Sequence, residues 1–150
     1  VLAEQKHKSI SDYLDKHAFP LMPYAKETIK TCFDKGYRIG IVTGGSKKSV
    51  EKTLSQYALA NYISCVVAVE DVVTSKPAPD CYELAMRQLN KTPEECVAIE
   101  DTQTGMRAAL AANLACVVIP TPLSQHHDLS RATVRCGNLQ TWVESELISQ

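Results

Sequence analysis

No apolar run in this sequence approaches the ~20 residues that a bilayer-spanning helix requires. Its first residues do not read as a basic stretch followed by an apolar one, the pattern of a secretory leader. Neither charge sign dominates: 16 Lys and Arg stand against 17 Asp and Glu, which gives no field to favour nucleic acid or a membrane surface. There is no internal repeat and no low-complexity segment. The six cysteines form no Cys-x-x-Cys pair, and three of them fall inside predicted strands, where thiols act as small buried hydrophobes. Free thiols in a cytoplasmic protein are therefore expected, not a disulfide framework. What remains is an ordinary globular composition, 45% hydrophobic and 22% charged over 150 residues, enough for one compact domain with a sizeable core.

Helical and strand patterns alternate along the chain. Ala3 to Ala18 is amphipathic, with Ile10, Tyr13, Leu14 and Ala18 near one face. Phe19-Pro20-Leu21-Met22-Pro23 ends it as an extended linker. A second helix spans Tyr24 to Lys35 and stops at Gly36, a residue suited to positive φ. Tyr37 to Thr43 is a strand, followed by a helix carrying Val50, Leu54 and Tyr57 on one face. Cys65 to Val69 is a strand; Asp80 to Leu89 is a helix. Cys96 to Glu100 is a strand, leading into a helix over Met106 to Ala112. Ala115 to Ile119 is a strand, and Asn138 caps a last helix with Leu139, Trp142, Val143 and Leu147. Residues 129–136 carry no clear pattern. Short, continuously apolar strands separated by helices predict an α/β fold, a parallel sheet covered on both faces.

In such sheets chemistry sits where a strand's carboxyl end turns into a helix, and three of these turns carry distinctive groups. Thr43-Gly44-Gly45-Ser46 puts a hydroxyl and accessible backbone N–H groups at a helix start, a place that attracts anions. An ordinary turn with Ser46 as N-cap would leave the same residues. Ser75-Lys76-Pro77-Ala78-Pro79-Asp80 holds a lysine on a loop stiffened by prolines. It suits a phosphoryl oxygen or a neighbouring carboxylate, although a solvated loop lysine has the same pattern. Glu100-Asp101-Thr102 sets two carboxylates side by side. Neighbours in a strand point to opposite faces, so Asp101, at the bend, is the expected metal ligand. Glu100 is then a second ligand or an outer-shell partner. Hard oxygen donors of this kind suit Mg²⁺, and an N-cap acid or threonine is the plainer alternative.

Taken in chain order, the hydroxyl, lysine and acid-pair motifs resemble those of the haloacid dehalogenase-like hydrolases, in the phosphatase and β-phosphoglucomutase branch with a helical cap. Gly36 to Thr43 is similar to that family's second motif, Ser75 to Asp80 to its third, and Ile99 to Ala109 to its fourth. The resemblance covers roughly residues 20–140. It implies a three-layer, Rossmann-like core in which Thr43, with the Gly44 and Gly45 backbone, holds a transferring phosphoryl group. By the same resemblance Lys76 neutralises that group, and Asp101 with Glu100 helps hold Mg²⁺. Where the family usually has Gly before the following strand, this chain has Asn113, the best non-glycine residue for a left-handed turn.

One motif of the family has no counterpart. Its nucleophile stands in an Asp-x-Asp motif at the end of the first strand, and no Asp-x-Asp occurs in these 150 residues. Without it the chain alone is expected to be inactive. The resemblance places the missing strand between the Thr43 and Glu100 strands, where its absence would leave two open edges and a route to self-association. Residues 1–19 are then expected to be the last helix of a cap, and residues 20–150 an incomplete core. The expected partner is a small phosphorylated metabolite such as a sugar phosphate, with no nucleic acid and no membrane. A phosphomutase, or a noncatalytic phosphate-binding or interaction module, would also fit. His126-His127 reads as a solvated loop pair, and Trp142 as core.

Overall fold

The structure, a computed structural model, describes residues 21–148. The helix expected over Ala3 to Ala18, and its assignment to a cap, lie outside the described residues.

Helix α1 (Ala25–Asp34) turns inward with Ala25, Thr28 and Ile29 buried. It closes at Gly36 (φ 89°), where the Gly36 and Tyr37 N–H groups return to the Phe33 and Cys32 carbonyls at 3.0 Å each. These two bonds satisfy carbonyls that the helix end would otherwise orphan. Strand β1 (Gly40–Val42) follows, then helix α2 (Lys47–Gln56), capped by the Ser46 hydroxyl accepting from Ser49 N–H at 3.1 Å. Strand β2 (Cys65–Val67) lies parallel to β1, with Gly40 against Cys65 and Val42 against Val67. Helix α3 (Asp80–Leu89) ends on Asn90 at φ 55°, and Arg38 donates to its Leu89 carbonyl at 2.7 Å.

Strand β3 (Val97–Glu100), helix α4 (Gln103–Ala111) and strand β4 (Ala115–Val118) form the next strand–helix–strand unit. Strands β3 and β4 are parallel in full register, and β4 also pairs in parallel with β5 (Val134–Arg135). That last strand falls in the segment where the sequence carries no pattern. Its two residues are exposed, so neither hydrophobic period could mark it. Helix α5 (Leu139–Val143) buries Leu139, Trp142 and Val143. Strands are shorter than their apolar runs suggest, because burial extends beyond the paired residues: Ile39, Ala68 and Ile119 are buried outside any strand.

Alternation along the strands builds two packed layers. One face of the sheet sets Val42, Val67, Ala98, Cys116 and Val118 against α3 and α4, with Tyr82, Ala85, Met106 and Ala109 opposite. The other face sets Ile41 against Val50 and Leu54 of α2 and Ile29 of α1, and Ile99 and Val117 against Leu139, Trp142 and Val143 of α5. The result is a three-layer α/β arrangement in which every strand pair of the described residues is parallel.

Among the described residues, β1–β2 and β3–β4–β5 are two separate ladders. A cavity of about 560 Å³ is lined among others by Ile29, by Ile39 just ahead of β1, by Val97 and Ile99 of β3, and by Leu139 and Trp142. Asn113 takes φ 65° at the turn from α4 to β4, the left-handed conformation expected of it. No helix of the described residues is long and apolar enough to cross a membrane, and all six cysteines are free thiols.

Candidate active site

Three loops meet at the carboxyl ends of β1, β2 and β3. Thr43 follows β1 and is buried, 4% exposed. Its N–H donates to the Val67 carbonyl at 2.9 Å, continuing the β1–β2 ladder by one bond. Gly45 N–H turns back onto the Thr43 hydroxyl oxygen at 3.0 Å, so the loop is pinned to the residue that begins it. Gly44, between them, is exposed. Lys47 N–H and its ammonium hold Glu70 and Asp71 at 3.0–3.2 Å, tying the loop after β2 to the start of α2.

Lys76 reaches inward from the loop ahead of α3. Its side chain is 5% exposed; Nζ donates to Glu100 Oε1 at 2.8 Å and to the Val42 carbonyl at 3.4 Å. One ammonium thus spans the ends of β1 and β3. Of the two uses the sequence allowed, phosphoryl oxygen or neighbouring carboxylate, the second is made in this structure. The Tyr82 hydroxyl on α3 also donates to Glu100 Oε1, and Lys76 Nζ lies 5.3 Å from the Tyr82 ring centroid. A buried carboxylate is costly unless paired and hydrogen-bonded; Glu100, 2% exposed, has both kinds of partner. Burial, and after it the Glu100 charge, hold the Tyr82 phenol well above its ordinary pKa. Tyr82 therefore stays a donor.

Asp101 differs from its neighbour in every respect that bears on chemistry. It is less buried, yet its Oδ1 is enclosed and has no hydrogen-bond partner. Burial first, and then the Glu100 charge, raise its pKa to about 6. A carboxylate oxygen left in this state is a donor atom wanting a cation or an N–H. Among the described residues no group of three or more His, Cys, Asp or Glu side chains is arranged to hold a metal. A cation that keeps most of its waters and takes one carboxylate is the kind this site fits, which is the habit of Mg²⁺.

The sequence reading brought Thr43, Lys76, Glu100 and Asp101 to one rim, and they stand there together. Two further residues stand at the site that the motifs do not assign to it. Tyr82 sits on the face of α3 that also carries Ala85 and Leu89, and only the need of a buried hydroxyl for a partner marks it. His127, read as solvated, accepts the Gln103 N–H at Nδ1, 3.1 Å away. Nothing in its local sequence signals this.

A model of haloacid dehalogenase-like hydrolases matches residues 2–119. The chain belongs to the haloacid dehalogenase-like hydrolases. Within this family it is 31% identical over 107 residues to hexitol phosphatase B of Escherichia coli (strain K12), a match covering 71% of this chain and 48% of that protein. It is 32% identical over 115 residues to the protein CbbY of Cereibacter sphaeroides, covering 75% and 50%. The crystal structure of CbbY from Rhodobacter sphaeroides in complex with phosphate superposes with a TM-score of 0.78 at 28% identity, covering 86% of this chain and 59% of that one. This haloacid dehalogenase-like chain spans about half the length of the two curated relatives.

Proposed function

We propose that this chain carries the phosphoryl-binding part of a Mg²⁺-dependent phosphatase acting on a small phosphorylated metabolite such as a sugar phosphate. The observation that carries the reading is Lys76 Nζ, buried and shared between the Val42 carbonyl and Glu100. Val42 directly precedes Thr43, and Glu100 directly precedes Asp101. A single cation therefore draws the hydroxyl, the glycine loop and the acid pair to one point. Similarity to a hexitol phosphatase and to a CbbY structure holding phosphate supports the substrate class.

In this reading Thr43 and the Gly44-Gly45 backbone orient the phosphoryl oxygens, as glycine N–H groups at a helix start do. Lys76 supplies positive charge to them at a position fixed by Glu100. Glu100 thus acts through Lys76, and Asp101 is the carboxylate that would hold Mg²⁺. Bound Mg²⁺ would add charge neutralisation at the transferring group. No Asp-x-Asp occurs in the sequence, so the attacking carboxylate has to come from a strand these residues do not supply. Among the described residues β1–β2 and β3–β4–β5 are separate ladders, which leaves an edge of each for such a strand. The open edges there are also where two copies of this chain would associate.

The test is Mg²⁺-dependent phosphate release by the protein together with such a strand. Asp101→Asn and Lys76→Ala should each lower kcat/KM by about a hundredfold or more, as removal of a preorganised charge does. The 150-residue chain alone should bind inorganic phosphate without turnover. Unchanged turnover in both variants would remove the reading. Phosphate binding with no turnover even in the presence of the strand would favour a noncatalytic module.

A further inference from the structure

The loop after β4 is held at two points. Ser124, 1% exposed, accepts Thr121 N–H at 2.9 Å through its hydroxyl, and its carbonyl accepts His127 N–H at 3.0 Å. Leu129, two residues beyond His127, is 3% exposed and belongs to the core beside α3 and α4. Between these anchors His127 and Asp128 face the start of α4. His127 Nδ1 accepts Gln103 N–H at 3.1 Å, and Asp128 N–H donates to Gln103 Oε1 at 3.4 Å. The two bonds run in opposite directions and form a clasp on one residue.

Gln103 is the first residue of α4 and lies two positions after Asp101. Its N–H is one of the donors a helix start leaves without an internal partner. The N-cap, Thr102, does not serve it: an N-cap side chain reaches the second or third N–H of the helix, and the Thr102 hydroxyl accepts from Gly105 N–H at 3.1 Å. The enclosed Oδ1 of Asp101 does not serve it either, having no partner. The bend that aims Asp101 is therefore fixed on its helical side by a residue 24 positions away. Accepting at Nδ1 leaves the proton of a neutral imidazole on Nε2.

We propose that His127 is a positioning residue: through Nδ1 it locks the Asp101-Thr102-Gln103 bend and so sets the aim of the Asp101 carboxylate. This rests on the reading of Asp101 as the cation ligand given above. Asparagine and glutamine separate the effect from bulk. An Asn side chain carries an oxygen at about the reach of Nδ1, whereas a Gln side chain carries one at about the reach of Nε2.

The experiment compares the 150-residue chain with His127→Asn, His127→Gln and His127→Ala at about pH 8. Gln103 amide exchange and Mg²⁺ titration are both followed by NMR. The Ala and Gln variants should exchange the Gln103 amide about tenfold faster, as loss of one hydrogen bond allows, and should bind Mg²⁺ several-fold more weakly. The Asn variant should stay close to the parent in both. Equal behaviour of Asn and Gln, or an Ala variant with unchanged exchange and Mg²⁺ affinity, would overturn the proposal. A parent chain that takes up no Mg²⁺ while the Asn–Gln split in exchange persists would instead remove the cation role of Asp101 and leave the clasp standing.

Discussion

A Cβ on Gly105 would lie 1.9 Å from Glu100 Oε2. The glycine of the acid motif is there because the Glu100 carboxylate fills the space a side chain would need. Helix α4 starts with its backbone against that carboxylate, and any substituent at residue 105 displaces one or the other.

Gly105→Ala should consequently destabilise the chain, despite alanine's higher helix propensity. The gain of about 1 kcal/mol expected in an open helix is outweighed by pushing Glu100 off Lys76 and Tyr82. A net loss of about 2–4 kcal/mol is expected, the range for overpacking combined with a disturbed buried ion pair. Urea unfolding checks it, and a variant as stable as the parent would mean that Glu100 moves aside without cost.

Lys76 and Tyr82 both hold Glu100 Oε1, but with different consequences when removed. Lys76→Met keeps the volume and strips the charge, leaving Glu100 buried without its counter-ion; a cost of about 3–5 kcal/mol follows. Tyr82→Phe removes one donor only, and about 1–3 kcal/mol should be lost. Because both act on one atom, the double variant should fall short of the sum. Chemical denaturation of the four chains measures that coupling.

Asp101 gives a pH dependence whose sign is opposite to that of a paired carboxylate. Its pKa is raised from the ordinary 3.8 to about 6, chiefly by burial. Between those values the folded chain keeps a proton that the unfolded chain has lost, so this group's contribution to stability falls as pH rises from about 4 to about 6. Above pH 6 the charged form is a net cost on the order of 2–3 kcal/mol. Asp101→Asn should therefore be more stable than the parent at pH 7.5, with the difference vanishing near pH 4. Mg²⁺ should raise the Tm of the parent and leave the variant unmoved. A variant less stable than the parent at pH 7.5 would contradict the burial argument.

The succession of parallel strands and helices was legible because continuous apolar runs of Val, Ile, Cys and Ala have one use, a sheet covered on both faces. Turn chemistry was local enough to read as well: Gly36 and Asn113 adopt positive φ where helix ends demand it. The convergence of Thr43, Lys76 and Asp101 followed from topology, since parallel strands deliver their carboxyl ends to one rim. Tertiary structure decided what each group does there. Whether Lys76 meets a carboxylate, whether Tyr82 donates to it, why residue 105 has no side chain, and what His127 holds depend on contacts made across 5 to 24 positions of chain. Hydrophobic periodicity records which face of an element is buried. It carries no record of which polar atoms that burial brings within 3 Å of one another.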